Sequence, residues 1–391
     1  MQNSNVFIWQ RLDWPRLTAD AQGVVSALLE ARERQGEVIG RAASIGLNES
    51  TGVTSEMFVH EVMATAAIEG QSLNPASVRS SVLRKLGFET TLNEPGSRDA
   101  DGLIDVIHDA TLNFDVPLDE DRLFRWQSAL FPGGTSGIRR IAVGRYRDHI
   151  DPMQIISGHP GKEVVHYTAP PSAQIKKEMD AFLRWFADTT PRKREPLQID
   201  GIARAAIAHL WFETLHPFED GNGRLGRAII DMSIAQDLGS PTRLYSLSSQ
   251  IMQQRSGYYD ALNHAQHGTT DVSKWVQWFA ETLASACEAS CQLMDDAIKK
   301  SSFWARHSKV NLNGRQRKVI QRLLDDGDAG FIGGLNAEKY MKLTGASKPT
   351  ATRDMADLVS CGLLVTTGQG KAMRYYVCVP GWTHGIDLPG A

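Results

Sequence analysis

The stretch His216-Pro217-Phe218-Glu219-Asp220-Gly221-Asn222-Gly223-Arg224-Leu225-Gly226-Arg227 constrains this chain more than any other. Upstream, Ile202, Ala205, Ala206 and Leu210 recur at helical spacing from about Gly201 to Leu215, and Pro217 cannot continue that helix. His216 is therefore expected at a helix end. Gly221 and Gly223 let the backbone take positive φ and approach a ligand, while Leu225 to Ala235 resumes a helical pattern whose first free amides point back at the turn. A helix start behind a glycine turn is an anion site.

The residue types in this stretch sort by what each can do. Asp220 is a hard carboxylate suited to one Mg²⁺ shared with phosphate oxygens. Arg224 and Arg227 stand three apart on one helical face, and their planar guanidinium groups match phosphate geometry. His216 alone here titrates near neutrality, so it is the natural base for a hydroxyl proton. A capped helix-loop-helix with solvated charges is the bland alternative. The coincidence of base, acid, glycines and arginines favours a phosphate-handling site.

The segment resembles the Fic family signature: a His, an aromatic, an acidic residue, then Gly-Asn-Gly-Arg and a final Arg, with every fixed position filled. The resemblance implies that His216 deprotonates a Ser, Thr or Tyr hydroxyl of a target protein and that Asp220 holds Mg²⁺ on the α and β phosphates of ATP. It also implies that the turn amides of Gly221 and Gly223, and Asn222, cradle phosphate while Arg224 and Arg227 take the outer phosphates. AMP would then pass to the target and pyrophosphate would leave. Related members transfer phosphate or other phosphate-linked groups, or remove AMP, and the signature does not separate these.

A helix is expected from Thr18 through Ile39, with Val24, Val25, Leu28 and Leu29 as its apolar stripe. With the aromatic segment before it, this part resembles the amino-terminal extension of some bacterial Fic proteins, and the tryptophans there would equally serve a homodimer surface. A second helix runs from Ser55 to Gly70, with Asn74-Pro75 as a stop. Within it, Thr65-Ala66-Ala67-Ile68-Glu69-Gly70 places a carboxylate at a helix C-terminus, where the helix dipole is also negative. That mismatch asks for an outside partner. The segment is similar to the family's inhibitory motif, which implies that Glu69 pairs with Arg227 and takes the space of the γ-phosphate.

Gln154, Ile155 and Ile156 before a Gly/Pro turn, and Val164 and Val165 after it, predict a hairpin whose free edge accepts an extended segment. It resembles the family's target-docking flap. A helix from Gln250 to Asn263 carries Tyr258 and Tyr259 as candidates to stack on adenine, and core packing explains either equally well. Another helix is expected from Lys274 to Met294.

The tail changes character. From Ser301 it carries 12 Lys+Arg against 7 Asp+Glu, a net of +5 against −8 for the rest. Three helices, over Arg315 to Leu324, Ala337 to Leu343 and Pro349 to Val359, precede a strand, turn and strand. That order resembles a winged helix. Lys348, Thr350, Thr352 and Arg353 would face DNA and Lys371 with Arg374 its backbone, although Asp354 and Asp357 share the third helix and docking of protein remains an equal use.

The formal net charge of −3 gives no global pull toward nucleic acid or acidic membrane. The first residues lack a signal peptide's basic and apolar regions, and no apolar run reaches membrane-span length, so a cytoplasmic location and no membrane partner are expected. Cys287 and Cys291 read as buried thiols rather than metal ligands. The expectation is a mainly α protein: residues 1-100 an inhibitory helical region, 101-300 a Fic core with a hairpin flap, and 301-391 a winged helix. ATP and Mg²⁺ are the expected cofactors, and the rival reading is a DNA-binding regulator that senses nucleotide.

Overall fold

The computed structural model describes residues 6–44, 51–87, 98–157, 164–191, 199–241, 244–328 and 333–382. The chain divides into two compact units, Met1–Cys291 and Gln292–Ala391. In the first, a 3-10 turn at Ile8–Gln10 leads to α1 (Ala21–Ser44), α2 (Thr51–Ile68), α3 (Pro75–Lys85), α4 (Arg98–Leu112) and α5 (Glu120–Leu130). Two short hairpins follow, β1 (Thr135–Ser136) with β2 (Arg139–Arg140), and β3 (Gln154–Ser157) with β4 (Val164–Thr168). Then come α6 (Ser172–Asp188), α7 (Gly201–Leu215), α8 (Asn222–Leu238), α9 (Leu247–Gln253), α10 (Arg255–Gln266) and α11 (Ser273–Arg306).

The core explains why α7 sits at the centre. All fifteen of its residues are buried, and a helix apolar on most of its circumference belongs inside a bundle rather than on its surface. Phe58, Leu103, Trp126, Phe182 and Ile229 pack with its Phe212 and Leu215. Asp200 caps its start by accepting from the amides of Ile202 and Ala203, and Arg32 of α1 bridges Asp200 to Asp237 at the end of α8.

Several expected elements differ. The α1 stripe is Val24, Ala27, Ala31, Gln35, Val38 and Ala42, while Val25 and Leu29 are 49% and 65% exposed. The expected stripe mixed adjacent positions, which a helix turns to different faces. The helix expected over 250–263 is two helices meeting at Gln254, whose φ −111° and ψ 34° are not helical; the first starts earlier, at Leu247, where Ser246 caps it by accepting from Ser249 N. The helix begun at Ser273 continues to Arg306, past the unit division. Cys287 and Cys291 are buried thiols.

In the second unit the helices are α12 (Gly314–Asp325), α13 (Ala337–Thr344) and α14 (Lys348–Ser360), followed by the antiparallel pair β5 (Leu364–Thr367) and β6 (Arg374–Val377). Val319, Ile320, Leu323, Tyr340, Met355, Leu358 and Trp382 form its core with Phe303. Asp354 lies inside, accepting from Arg315, Tyr340 and Asn313, and Asp357 accepts from Gln316. Asp354 is thus turned inward, whereas Asp357 is exposed. Lys348, Thr352 and Arg353 are exposed, and the side chain of Lys371 lies outside the described residues. No described helix is long and apolar enough to cross a membrane.

Candidate active site

Between α7 and α8 the chain turns sharply at a strained residue. His216 adopts φ 46°, a left-handed conformation unusual for a residue with a Cβ. Arg147 holds it there: its Nε donates to His216 O at 2.8 Å, one Nη to Leu215 O at 3.2 Å and its backbone N–H to Pro217 O at 2.9 Å. The same guanidinium reaches Pro170 O and Ser172 Oγ, so it ties the turn to the chain leaving β4. Sequence reasoning missed Arg147, because no local pattern marks it.

Gly221 follows at φ 91°, and a Cβ there would stand 3.0 Å from the Phe131 ring. The Asn222 carboxamide orders the loop: its Oδ1 accepts from Phe218 N at 3.0 Å and its Nδ2 donates to Phe218 O at 2.8 Å. These bonds fix the shape of the loop and set the Asn222 amide at the start of α8. Asp220 Oδ2 accepts from Ser136 Oγ in the β1–β2 hairpin, its Oδ1 from Gly221 N, and Arg224 stands 3.6 Å away over the Phe131 ring.

Across the start of α8 lies the residue expected to inhibit. Arg227 Nη2 donates to Glu69 Oε1 at 2.7 Å and to Thr65 O at 3.1 Å, whereas its Nε and Nη1 have no partner among the described residues. A Cβ on Gly223 would come within 2.2 Å of Glu69 Oε1, so the carboxylate presses on the backbone of the helix start. Glu69 lies just past the end of α2. That helix is anchored to α9 by Glu61, which accepts from the hydroxyls of Ser246, Ser248 and Thr65.

A cleft of about 660 Å³ joins these parts, bordered by Glu69, Gly223, His216, Tyr258, Tyr259 and the hairpin residues Gln154, Ile155 and His166. Tyr258 is buried with its hydroxyl 2.9 Å from His209 Nε2, and Tyr259 is 40% exposed. On the β3–β4 hairpin, Val164 and Val165 are 56% and 48% exposed, and Ile156 pairs with Val165 beside a register shift. The side chain of Ile156 lies outside the described residues.

Burial, with a smaller push from Arg147, lowers His216 to about 4. The ring is neutral at physiological pH, as a base must be. Glu213, one turn earlier, moves the other way, to about 8, through burial first and the Glu69 charge second.

A buried histidine beside an anion-ready helix start defines the class of this helical domain. Residues 117–234, which include the whole 216–227 signature, match the Fic/DOC family, and residues 7–88 match a domain of unknown function, DUF4172. The chain is 24% identical over 237 residues to protein adenylyltransferase Fic of Nematostella vectensis, covering 60% of this chain and 49% of that protein. It is 30% identical over 139 residues to protein adenylyltransferase fic-1 of Caenorhabditis elegans, covering 36% and 24%. The chain thus spans about half the length of these curated relatives, or less. These matches support the Fic family for the domain carrying the site. A solved Fic family protein from Desulfovibrio desulfuricans G20 has 21% identity and a TM-score of 0.49, covering 90% of this chain and 95% of that one.

Proposed function

We propose that this chain is a protein adenylyltransferase that moves AMP from ATP to a Ser, Thr or Tyr hydroxyl of a target protein and is held inactive by Glu69. The observation that carries the reading is the Glu69–Arg227 pair lying across Gly223 at the start of α8, in the same cleft as His216. Two nitrogens of Arg227 lack partners, which suits a guanidinium reserved for an anion.

In this reading the triphosphate lies along the start of α8, with its outer phosphate on Arg227 once Glu69 withdraws, and the adenine lies toward Tyr258 and Tyr259. A target segment adds to the edge of the β3–β4 hairpin and brings its hydroxyl to His216. His216 takes the hydroxyl proton, the oxygen forms a bond to the α-phosphorus, and the bond from that phosphorus to the bridging oxygen breaks. The electron pair leaves on pyrophosphate. Triphosphate charge near His216 raises its basicity from the depressed value of the free site.

Asp220, 39% exposed and 3.6 Å from Arg224, fits a Mg²⁺ ion shared with phosphate oxygens. Among the described residues no group of three or more His, Cys, Asp or Glu would hold a metal without the nucleotide. The ion, when bound, supplies neutralisation of phosphate charge.

The test is the intact mass of Glu69→Gly protein incubated with ATP and Mg²⁺, beside the parent and a Glu69→Gly/His216→Ala variant. One added AMP in the first alone is the expected result. An added phosphate would assign phosphoryl transfer instead, and loss of AMP from protein already labelled would assign removal.

The second unit has the winged-helix order of three helices and a strand pair. Asp354 turns inward, and Lys348, Thr352 and Arg353 are exposed on the first turns of α14, ahead of the exposed Asp357, a surface suited to nucleic-acid phosphate. Salt-sensitive DNA retention by His216→Ala protein, lost with Lys348→Glu/Arg353→Glu, is the outcome that would support it.

A further inference from the structure

The segment ahead of α1 packs on the hairpin that borders the cleft. In that hairpin the Ala169 amide donates to Met153 O at 2.9 Å, so the next facing pair, Gln154 and Thr168, is one without ladder bonds, and Thr168 turns its carbonyl away from β3. Trp9 Nε1 donates to that carbonyl at 2.9 Å. The Phe7 ring stands between two others, edge-on to Tyr167 of β4 at 5.1 Å and 4.9 Å from His267 at the end of α10. The rest of the segment is tied to the turn between α10 and α11. Arg11 Nε donates to Gly268 O at 3.1 Å, Thr18 N to Thr270 O at 2.9 Å and Val272 N to Thr18 O at 2.8 Å, and the Thr270 hydroxyl donates to Asp13.

Residues 7–18 thus form a strap from the α10–α11 turn to the root of the β3–β4 hairpin. A two-stranded hairpin is marginal by itself and takes its position from what it packs on. Two other contacts, the Tyr167 hydroxyl donating to Thr214 O at 2.8 Å and Arg147 donating to Pro170 O, tie the root to the end of α7. Beyond the root, Val164, Val165 and His166 are exposed.

We propose that Trp9 and Phe7 are positioning residues for the β3–β4 hairpin, and that their strap sets where the hairpin presents a target hydroxyl to His216. The role toward the target rests on the adenylyl-transfer reading and deepens it; the holding of the hairpin does not depend on that reading. Trp9 gives the root a fixed bond on its outer side, and Phe7 keys Tyr167 to α10, the helix whose Tyr258 and Tyr259 border the same cleft. Hairpin, base and cleft wall are thereby held in one register, and a misplacement of about 1 Å between reacting groups costs about a hundredfold in rate. The strap belongs to residues 7–88, the domain of unknown function, which so acquires a second task at the site beside the delivery of Glu69 by α2.

The experiment measures hydrogen–deuterium exchange by mass spectrometry in the parent protein, in Trp9→Phe, which keeps an aromatic ring but loses the N–H, and in Trp9→Phe/Phe7→Ala. Exchange in the peptide covering β4 is expected to rise about threefold or more in the first variant and about tenfold or more in the second, with peptides from α2 and α7 at the parent rate. In the Glu69→Gly background the double substitution is expected to slow ATP-dependent self-labelling by about tenfold or more, while affinity for ATP, titrated on the same protein with His216→Ala added, changes by less than about threefold. An unchanged exchange rate in β4 would overturn the assignment. A rise shared equally by α7 would overturn it too, because that reports general loosening of the unit. So would unchanged labelling by protein whose hairpin exchanges faster. If Glu69→Gly protein labels nothing, the adenylyl-transfer reading falls, and the exchange of β4 alone decides whether the strap holds the hairpin.

Discussion

Glu69 Oε1 accepts from Arg227 Nη2 at 2.7 Å while pressing on Gly223, so one carboxylate oxygen both neutralises the arginine and covers the helix start. Residues separated by 158 positions thus meet at the first turn of α8. Arg227 is 2% exposed, and removing its partner leaves a buried guanidinium that seeks another anion. That need links withdrawal of Glu69 to capture of a phosphate.

Glu61 anchors the helix that delivers Glu69, through hydroxyls of Ser246, Ser248 and Thr65. Glu61→Ala leaves those hydroxyls without their acceptor and is expected to cost about 1–3 kcal/mol of stability. It should also raise basal ATP-dependent labelling severalfold, measured by intact mass against the parent. Labelling that stays at the parent level would separate the anchor from the inhibition.

Ser136 and the Gly221 amide each donate to one oxygen of Asp220. A carboxylate held this way is oriented before an ion arrives, and loss of such a support typically weakens metal affinity by about 10–100-fold. Ser136→Ala in the Glu69→Gly background should therefore raise the Mg²⁺ concentration needed for half-maximal labelling by about tenfold. An unchanged Mg²⁺ titration would remove Ser136 from this role.

Arg147 satisfies three carbonyls, of His216, Leu215 and Pro170, and one hydroxyl, of Ser172. Burial lowers its own pKa to about 10, yet it stays charged at neutral pH. Arg147→Ala should destabilise the first unit by about 2–5 kcal/mol through orphaned buried acceptors and release the strained His216. Chemical denaturation measures the first effect, and loss of labelling by the protein that remains folded measures the second.

The pH dependence of stability has a definite sign. Burial depresses His216 to about 4 and His209 to about 3, below an unfolded value near 6.5, so unfolding takes up protons and stability falls as pH drops below about 6.5. Glu213 opposes this between its unfolded value and about 8, because there the folded state holds the extra proton. His60 and His108, also lowered by burial, add to His216 and His209, so the histidines outweigh the one carboxyl, stability rises with pH over about pH 4.5–6.5, and Glu213→Gln should steepen the rise. Denaturation midpoints across that range check it, and an equal or shallower slope in the variant would contradict the assignment of the buried proton to Glu213.

How much of this was legible beforehand follows from what local sequence encodes. The helix over 201–215, its stop at Pro217 and the restart after Gly221 were readable, since spacing and backbone restriction act within a few residues. The β3–β4 hairpin was readable for the same reason. The stripe of α1 was misread at Val25 and Leu29, and the break at Gln254 was missed, because which side of a helix is buried and where a chain must bend depend on what packs against it. That the Asn222 carboxamide also bonds Phe218 was not readable, because it depends on how the loop closes.

The sequence by itself determined the chemistry on offer: a histidine, a carboxylate, a glycine turn and two arginines at fixed offsets along one helix-loop-helix. Only the tertiary structure decided how that chemistry is governed. It seats Glu69 on Arg227, Ser136 on Asp220 and Arg147 under His216, and it buries Glu213 near the base with its Oε1 unpartnered among the described residues. Those pairs lie tens of residues or more apart, except for Glu213. No local periodicity reports such meetings, because they are set by which helix faces come together when the core closes around α7. Glu213 stood in plain sight three residues before His216, yet its burial, and so its proton, came from neighbours that only the packed core supplies.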